Sequence, residues 1–269
     1  MVLVTGPTGS GKTTSLYAAL KILNNAESKI ITVEDPVEYR LTRINQVQIN
    51  TDIGLTFARV LRSALRQDPD IILIGEIRDE ETAEIAVRAA MTGHMVLSTL
   101  HTNSAIGTVN RLMDMSIKTY LLPTALNAII AQRLVRRVCE GCSRDTDLPP
   151  QVTEYVQQIS GEPASKGSYK QGAGCGRCNF TGYQGRVGVY ELLEIDNQMS
   201  NVLGRGDTVA FAKVAREKAG FFTLEQAALQ TAMNGITTIH EVLKISADLD
   251  IELPEELQTG LGNITAQIT

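Results

Sequence analysis

Residues 6–13 of the chain are Gly6-Pro7-Thr8-Gly9-Ser10-Gly11-Lys12-Thr13, which match the phosphate-binding loop pattern G-x-x-x-x-G-K-[ST]. A short apolar run, Val2–Val4, precedes this loop, and a helical pattern from Lys12 to Leu23 follows it. A strand, a glycine-rich loop and a helix in that order are the context in which the pattern marks a nucleotide site. We therefore predict that the residues from Gly6 to Thr14 bind a nucleoside triphosphate.

The residue types in this loop suit the chemistry of a phosphate group. Glycines let the backbone wrap round a phosphate, and the backbone N–H groups at the start of the helix point toward the anion. We expect the Lys12 ammonium to reach the β- and γ-phosphates and the Thr13 hydroxyl to hold Mg²⁺. The loop thus predicts a site for a triphosphate together with Mg²⁺.

Composition limits the classes of function that the chain can have. Its 269 residues are enough for one large domain or two small ones. A net charge of −5 and an aromatic content of 4% argue against a nucleic-acid groove as the main surface. No run approaches eighteen consecutive apolar residues, so we predict no membrane-spanning helix. Because residue 1 already lies in the nucleotide-site strand, we expect the chain to be a fragment that lacks upstream domains.

Strand and helix signals alternate along the first half of the chain. Apolar runs too short for helices lie at Val2–Val4, Ile30–Val33, Ile71–Ile74 and Met95–Leu97. Helical patterns lie between them, one at 56–65 and another at 80–91. This alternation predicts an α/β fold with a mostly parallel sheet covered by helices. Ligands in such folds bind at the carboxyl ends of the strands.

Carboxylates follow two of these apolar runs. Glu76 ends the third run, and we predict that it lies beside the Mg²⁺, where it holds a metal-bound water or orients the attacking water. The second run is followed by an acidic box, Glu34, Asp35 and Glu38. Hydrolysis needs a proton acceptor near the water. Spacing by itself does not choose among the three carboxylates of the box.

Two histidines flank the fourth apolar run, with His94 before it and His101 after it. A histidine at a strand tip can donate a hydrogen bond to the γ-phosphate and report its loss. A histidine in such a position is also often structural. We predict that His101 senses the phosphate, whereas we expect His94 to contact a neighbouring segment.

Together these motifs resemble a known family. The phosphate loop, the acidic segment 33–39, the segment 65–79 and the histidine segment 93–102 come in the order seen in bacterial secretion ATPases. Over residues 1 to about 247 the chain resembles the C-terminal ATPase half of type II secretion and type IV pilus assembly ATPases. Within that family the resemblance is greatest to the ATPases of mannose-sensitive haemagglutinin (MSHA) pili.

The resemblance implies a RecA-like core and a P-loop ATPase that works as a homo-hexameric ring. It implies a place at the cytoplasmic face of the bacterial inner membrane, reached through partners. Those partners are a platform protein of the inner membrane and the pilus or pseudopilus machinery, with no nucleic acid.

The resemblance also implies roles for single residues. Glu38 becomes the catalytic base, Glu76 the carboxylate of the Mg²⁺ and the water, and His94 and His101 the histidine box that senses phosphate. Arginines from upstream N-terminal domains of the same protein are expected to reach the phosphates of ATP. We therefore expect the present chain alone to hydrolyse ATP weakly.

All four cysteines of the chain occur in two pairs, Cys139-x-x-Cys142 and Cys175-x-x-Cys178. Such pairs predict four thiolates around a structural Zn²⁺, although the 32 intervening residues exceed the usual ribbon spacing. The alternatives are a disulfide, which a reducing cytosol disfavours, and four buried thiols, which the paired spacing disfavours. In the resembled family, assembly ATPases carry this module and retraction ATPases usually lack it, which favours assembly.

The patterns divide the chain into four predicted segments. These are an ATPase core at 1–138, a zinc module at 139–190, a C-terminal helical subdomain at 191–247 and a flexible tail at 248–269. The leading hypothesis is a motor that uses ATP hydrolysis to drive pilus assembly or type II secretion. Two other classes stay open, a RecA-like nucleic-acid translocase and a scaffold whose assembly is regulated by nucleotide.

Overall fold

A computed structural model describes residues 1–249 of the chain. The chain forms two compact units, and the first comprises Met1–Gln132 and Leu192–Phe221. The second comprises Arg133–Glu191 and the described residues from Phe222 onward. The predicted tail at 248–269 lies outside the described residues except for its first two positions. No helix in the described part has the length and apolar character needed to cross a bilayer.

Strands and helices alternate through the first half of the chain, as predicted. The strands are β1 (Val2–Thr5), β2 (Ile30–Glu34), β3 (Asn45–Gln48), β4 (Ile71–Ile74), β5 (Met95–Leu100), β6 (Ala128–Val138), β7 (Ser143–Asp145), β8 (Lys170–Gly172) and β9 (Tyr183–Glu194). The helices are α1 (Lys12–Leu23), α2 (Phe57–Ala64), α3 (Glu80–Met91), α4 (Ala105–Asp114), α5 (Leu122–Ala125), α6 (Pro150–Ser160), α7 (Asn197–Gly204), α8 (Thr208–Glu217), α9 (Leu224–Met233) and α10 (Ile239–Asp248).

Parallel pairing organises the larger sheet, whose strand order is β3-β2-β4-β5-β1-β6-β9. The five pairs from β3 to β6 in this order are all parallel. The predicted α/β fold with a mostly parallel sheet is therefore confirmed. Since parallel strands run in one direction, β1, β2, β4 and β5 end at one edge of the sheet. At that edge Thr5 pairs with Leu100, and Val33 pairs with Ile74.

The central strands are apolar along their whole length because both of their faces are buried. Every residue of β2 and of β4 is buried. Helix α1 joins the same core through Leu16 and Leu20, which are 3% and 0% exposed. Their core cluster includes Val4, Ile30, Ile71, Leu73 and Leu97. This packing holds α1 against the strands and so fixes both ends of the loop between β1 and α1.

The second unit contains a two-stranded antiparallel sheet, β7–β8, and the helices α6, α9 and α10. Glu225 of α9 accepts hydrogen bonds from Tyr155 of α6 at 2.6 Å and from Ser246 of α10 at 2.7 Å. Helices α7 and α8 belong instead to the first unit, where α7 packs on α5 and α8 packs on α4. The helices of segment 191–247 thus pack in two different units. The boundaries of the four predicted segments stay a prediction.

Shortening a side chain in the middle of the sheet should test this core. Ile72 of β4 is 0% exposed, so Ile72→Ala removes buried methylene groups and leaves a cavity. We expect the free energy of unfolding to fall by about 2–5 kcal/mol, measured by urea denaturation. The matched control is Ile22→Ala, because Ile22 is 85% exposed. An equal loss in the two variants would contradict the proposed core.

Candidate nucleotide site and cysteine cluster

The loop between β1 and α1 has the backbone conformation that its glycines permit. Gly11, the residue before α1, has φ of 88°, a left-handed value that favours glycine. Gly6 lies so close to β6 that a Cβ there would be 2.4 Å from the Gln132 carbonyl oxygen. Pro7, Thr8 and Gly9 are exposed at the loop apex. The N-terminal N–H groups of α1 have no side-chain cap, which suits an anion site.

Lys12 is buried to 9% exposure although its side chain carries a charge. Its Nζ donates hydrogen bonds to the carbonyl oxygens of Gly6 at 2.8 Å and Pro7 at 3.1 Å. The ammonium group therefore lies along the loop predicted to hold phosphate. Thr13 and Thr14, the next two residues of α1, are exposed.

Gln132 is a residue of this site that sequence reasoning missed. Its side chain is 2% exposed at the β6 strand, and its Nε2 donates to the Ser10 carbonyl at 2.7 Å. Its Oε1 accepts a hydrogen bond from the Ser15 hydroxyl at 2.8 Å. One amide thus holds the end of the loop and the first turn of α1 together. No local signal marks it, because the contact joins residues more than a hundred positions apart in sequence.

Glu76 lies in a charged cluster where β4 and β5 end. One of its carboxylate oxygens pairs with Arg78, and the other lies 3.4 Å from His101 Nε2. Arg78 also approaches Asp35 at 3.6 Å, and its bond to Glu76 raises the pKa of its guanidinium. The structure thus brings Glu76, His101 and Asp35 together, as expected from their strand ends. No sequence pattern marks Arg78 as a residue of this cluster.

The segment that carries His101 is tied to the strand that leads into the phosphate loop. Thr102 donates its backbone N–H to the Thr5 hydroxyl at 2.9 Å, and the two hydroxyl oxygens are 2.6 Å apart. Thr5 is the last residue before Gly6, and Thr102 follows His101 directly. These bonds place the exposed His101 imidazole at the same edge of the sheet as the loop.

The acidic box contains carboxylates in three different environments. Glu34 is 2% exposed and accepts hydrogen bonds from Tyr17, Thr32 and Gln46. Asp35 is exposed and faces Arg78. Glu38 is also exposed, and its carboxylate forms no hydrogen bond or ion pair with any residue that the structure describes. Of the three, Glu38 keeps both carboxylate oxygens available to a water molecule.

His94 lies away from this site. It precedes β5, at the opposite end of that strand from His101. Its Nδ1 lies 3.0 Å from both the Ala89 carbonyl oxygen and the Thr92 hydroxyl. His94 thus contacts the end of α3, which directly precedes it, and the geometry does not bring His94 to the phosphate loop within one chain.

The four cysteines form one cluster in the second unit. All four Sγ atoms lie within 4.8 Å of one another, and three of the pairs are 3.8 Å apart. A tetrahedron of thiolates with Zn–S bonds of about 2.3 Å has edges of about 3.8 Å. A disulfide would need an S–S distance of about 2.0 Å. The cluster therefore fits a tetrahedral metal ion and contains no disulfide.

Backbone N–H groups support a thiolate in this cluster. Burial raises the pKa of the Cys178 thiol, but the N–H groups of Cys175 and Gly182 donate to its Sγ at 3.2 and 3.3 Å. Together with bonds from the Cys142 and Cys175 thiols, these donors lower the pKa of Cys178 to about 6, whereas burial raises the pKa of the Cys142 thiol. A low pKa favours the thiolate form that a metal ion requires.

Known secretion and pilus proteins are similar to this chain over most of its length. Residues 1–244 match the family described as type II/IV secretion system protein. The chain is 48% identical over 249 residues to type II secretion system protein E of Dickeya dadantii, covering 92% of the chain and 49% of that protein. It is 50% identical over 246 residues to the type IV pilus assembly ATPase PilB of Myxococcus xanthus, covering 90% of the chain and 43% of that protein. The chain thus spans about half the length of these relatives.

Solved structures show the same fold. The pilus retraction motor PilT with bound ADP superposes with a TM-score of 0.67 at 31% identity, covering 91% of this chain and 60% of that one. The ATPase DotB of Legionella pneumophila superposes with a TM-score of 0.66 at 26% identity, covering 92% and 60% of the two chains. These likenesses confirm the predicted RecA-like core.

Removing the Gln132 amide should weaken nucleotide binding. Gln132→Leu keeps the approximate size of the side chain but loses both hydrogen bonds to the loop and α1. Two such bonds contribute about 1–3 kcal/mol, so we expect the Kd of a fluorescent ATP analogue to rise about tenfold. Gln67→Leu, at an exposed glutamine of the same unit, is the matched control. Equal affinity of the two variants would show that the Gln132 bonds do not shape the loop.

Proposed function

Because the chain belongs to the type II/IV secretion system protein family, we propose that it is the ATP-hydrolysing part of a motor for type IV pilus assembly or type II secretion. The observation that carries this proposal is the meeting of a complete phosphate loop and a carboxylate cluster at one edge of a parallel sheet. The names of two relatives, a secretion protein E and a pilus assembly ATPase, support the two pathways.

The proposed roles of the site residues follow from their environments. The loop from Gly6 to Thr14 binds the phosphates of ATP, and the Lys12 ammonium neutralises charge that develops on them. Glu38, exposed and without an ion pair among the described residues, accepts the proton of the attacking water. The Thr13 hydroxyl and Glu76 would hold Mg²⁺, which would supply electrostatic stabilisation of the phosphoryl oxygens.

His101 is the proposed phosphate sensor of this site. Its Nε2 lies 3.4 Å from the Glu76 carboxylate. A change in charge beside Glu76 therefore changes the electrostatic interaction between Glu76 and the His101 imidazole. His94 lies at the opposite end of β5 from His101 and is therefore outside the site of its own chain. We therefore keep His94 in the histidine box only as the family resemblance implies it.

We extend the proposal to the assembly on the basis of the family. The motor is a homo-hexameric ring at the cytoplasmic face of the bacterial inner membrane. It acts on a platform protein and on the pilus or pseudopilus machinery. In the proposed motor, N-terminal domains supply arginines to the phosphates. Assembly of an MSHA-type pilus is our proposal for the fibre, and it rests on the sequence resemblance.

The cysteine cluster is the proposed site of a structural zinc ion. Cys139, Cys142, Cys175 and Cys178 would hold it, and the three pairs of sulfur atoms that lie 3.8 Å apart support this ion. Four thiolates leave no open coordination position, so the role is to join two chain segments and not to carry out chemistry. The cluster also supports the assembly type of motor over the retraction type.

Phosphate release by the full-length protein tests the motor assignment. Lys12→Ala removes the ammonium group from the loop, and we expect turnover to fall about a hundredfold or more. Lys118→Ala, an exposed lysine of the same unit, should keep normal turnover. Unaltered turnover in Lys12→Ala would favour the nucleotide-regulated scaffold. Turnover that rises with DNA, together with salt-sensitive DNA binding, would favour the translocase.

Metal removal tests the zinc proposal. Zinc analysis of protein kept reduced should find about one ion per chain. Chelation should lower the Tm by roughly 5 °C or more, because a structural metal contributes directly to folding. Nucleotide affinity should stay within about twofold of its original value, since the thiols belong to a different compact unit from the phosphate loop. Reduced protein without zinc would refute the site.

A further inference from the structure

Tyr17 is a buried tyrosine on the helix that starts in the phosphate loop. It lies on α1, one turn after Thr13, and it is 0% exposed. Its hydroxyl donates to Glu34 and accepts from the Glu38 backbone N–H at 3.3 Å and from Gln46 Nε2 at 3.4 Å. A phenol has one proton to donate and can accept two, so its whole hydrogen-bonding capacity is used.

Burial and Glu34 together keep this hydroxyl protonated, so that it acts as a donor. Burial and the bond to the Glu34 carboxylate raise the pKa of Tyr17, so the phenol keeps its proton. The other oxygen of Glu34 accepts from Thr32 at 2.5 Å and Gln46 at 3.2 Å. The Glu34 carboxylate thereby joins the end of β2 and Gln46 of β3 to α1.

Tyr39 supplies a second contact between α1 and the acidic box. Its ring lies edge-on to the Tyr17 ring, with centroids 4.7 Å apart and planes at 70°. The Lys21 ammonium of α1 lies 5.3 Å from the centre of the same Tyr39 ring. Glu38 is therefore flanked by two attachments to α1, one at its own backbone N–H and one at the next residue.

We propose that Tyr17 is a positioning residue that holds Glu38 in place relative to the phosphate loop. This inference rests on the proposed function, in which Glu38 accepts the proton of the attacking water. Helix α1 begins at Lys12, so any rotation of the helix moves the phosphate-binding groups and Tyr17 together. A base must lie within hydrogen-bond reach of the water, and a displacement of about 1 Å can cost about a hundredfold in rate.

The test compares Tyr17→Phe with the unmodified full-length protein in steady-state ATP hydrolysis. Phenylalanine keeps the ring that packs on Tyr39 and loses only the hydroxyl. We expect kcat to fall about tenfold while the KM for ATP changes less than about twofold, since the phosphate-binding groups are untouched. The matched control is Tyr120→Phe, which removes a hydroxyl at a side chain 68% exposed.

A second variant keeps the test decisive if Tyr17→Phe does not fold. Tyr39→Leu removes the ring contact at a side chain that is 47% exposed, so we expect it to fold normally. It should also lower kcat without raising KM. A kcat equal to that of Tyr120→Phe in the folded variants, or a rise in KM at constant kcat, would overturn the inference. If Lys12→Ala also keeps full turnover, the proposed function itself fails.

Discussion

Parallel backbone pairing between β2, β4, β5 and β1 is the constraint on which the rest of the site depends. Each of these strands ends at the same edge of the sheet, so residues far apart in sequence meet there. Thr5 pairs with Leu100, and the Gly75 N–H donates to the Val33 carbonyl at 2.7 Å just beyond the paired strands. Every residue of β2 and β4 is buried, so these strands are anchored in the core along their whole length.

Burial divides the polar residues of that edge into two groups. Glu34 and Gln132 are each 2% exposed, and both are hydrogen-bonded to neighbouring elements. A buried polar group without a hydrogen-bond partner destabilises the folded state by about 1–3 kcal/mol. These two side chains therefore form hydrogen bonds that join neighbouring elements. Glu38 and His101 are exposed and stay accessible to a ligand. The buried groups hold neighbouring elements together, and the exposed groups are those to which we assign the proposed chemistry.

Much of this molecule could be predicted because its motifs are local. The pattern of the phosphate loop lies within eight neighbouring residues, and Gly11 at its end has the left-handed backbone conformation that favours glycine. The strand runs also follow from local apolar patterns, and the cysteine pairs from their spacing. Arg78 and Gln132 could not be assigned roles in this way. An arginine four residues beyond a strand is common on any surface, and a glutamine within a strand has no distinctive pattern.

The sequence by itself determined the α/β class, the position of the phosphate loop and the two C-x-x-C pairs, because each depends on short-range spacing. The different environments of the three acidic-box carboxylates were decided only by the tertiary structure. Glu34 and Glu38 are four residues apart and chemically alike, yet one is enclosed by Tyr17 and its neighbours and the other faces solvent. The physical reason is that burial and hydrogen-bond partners come from α1 and β3, which reach this place only when the sheet and its helices are assembled.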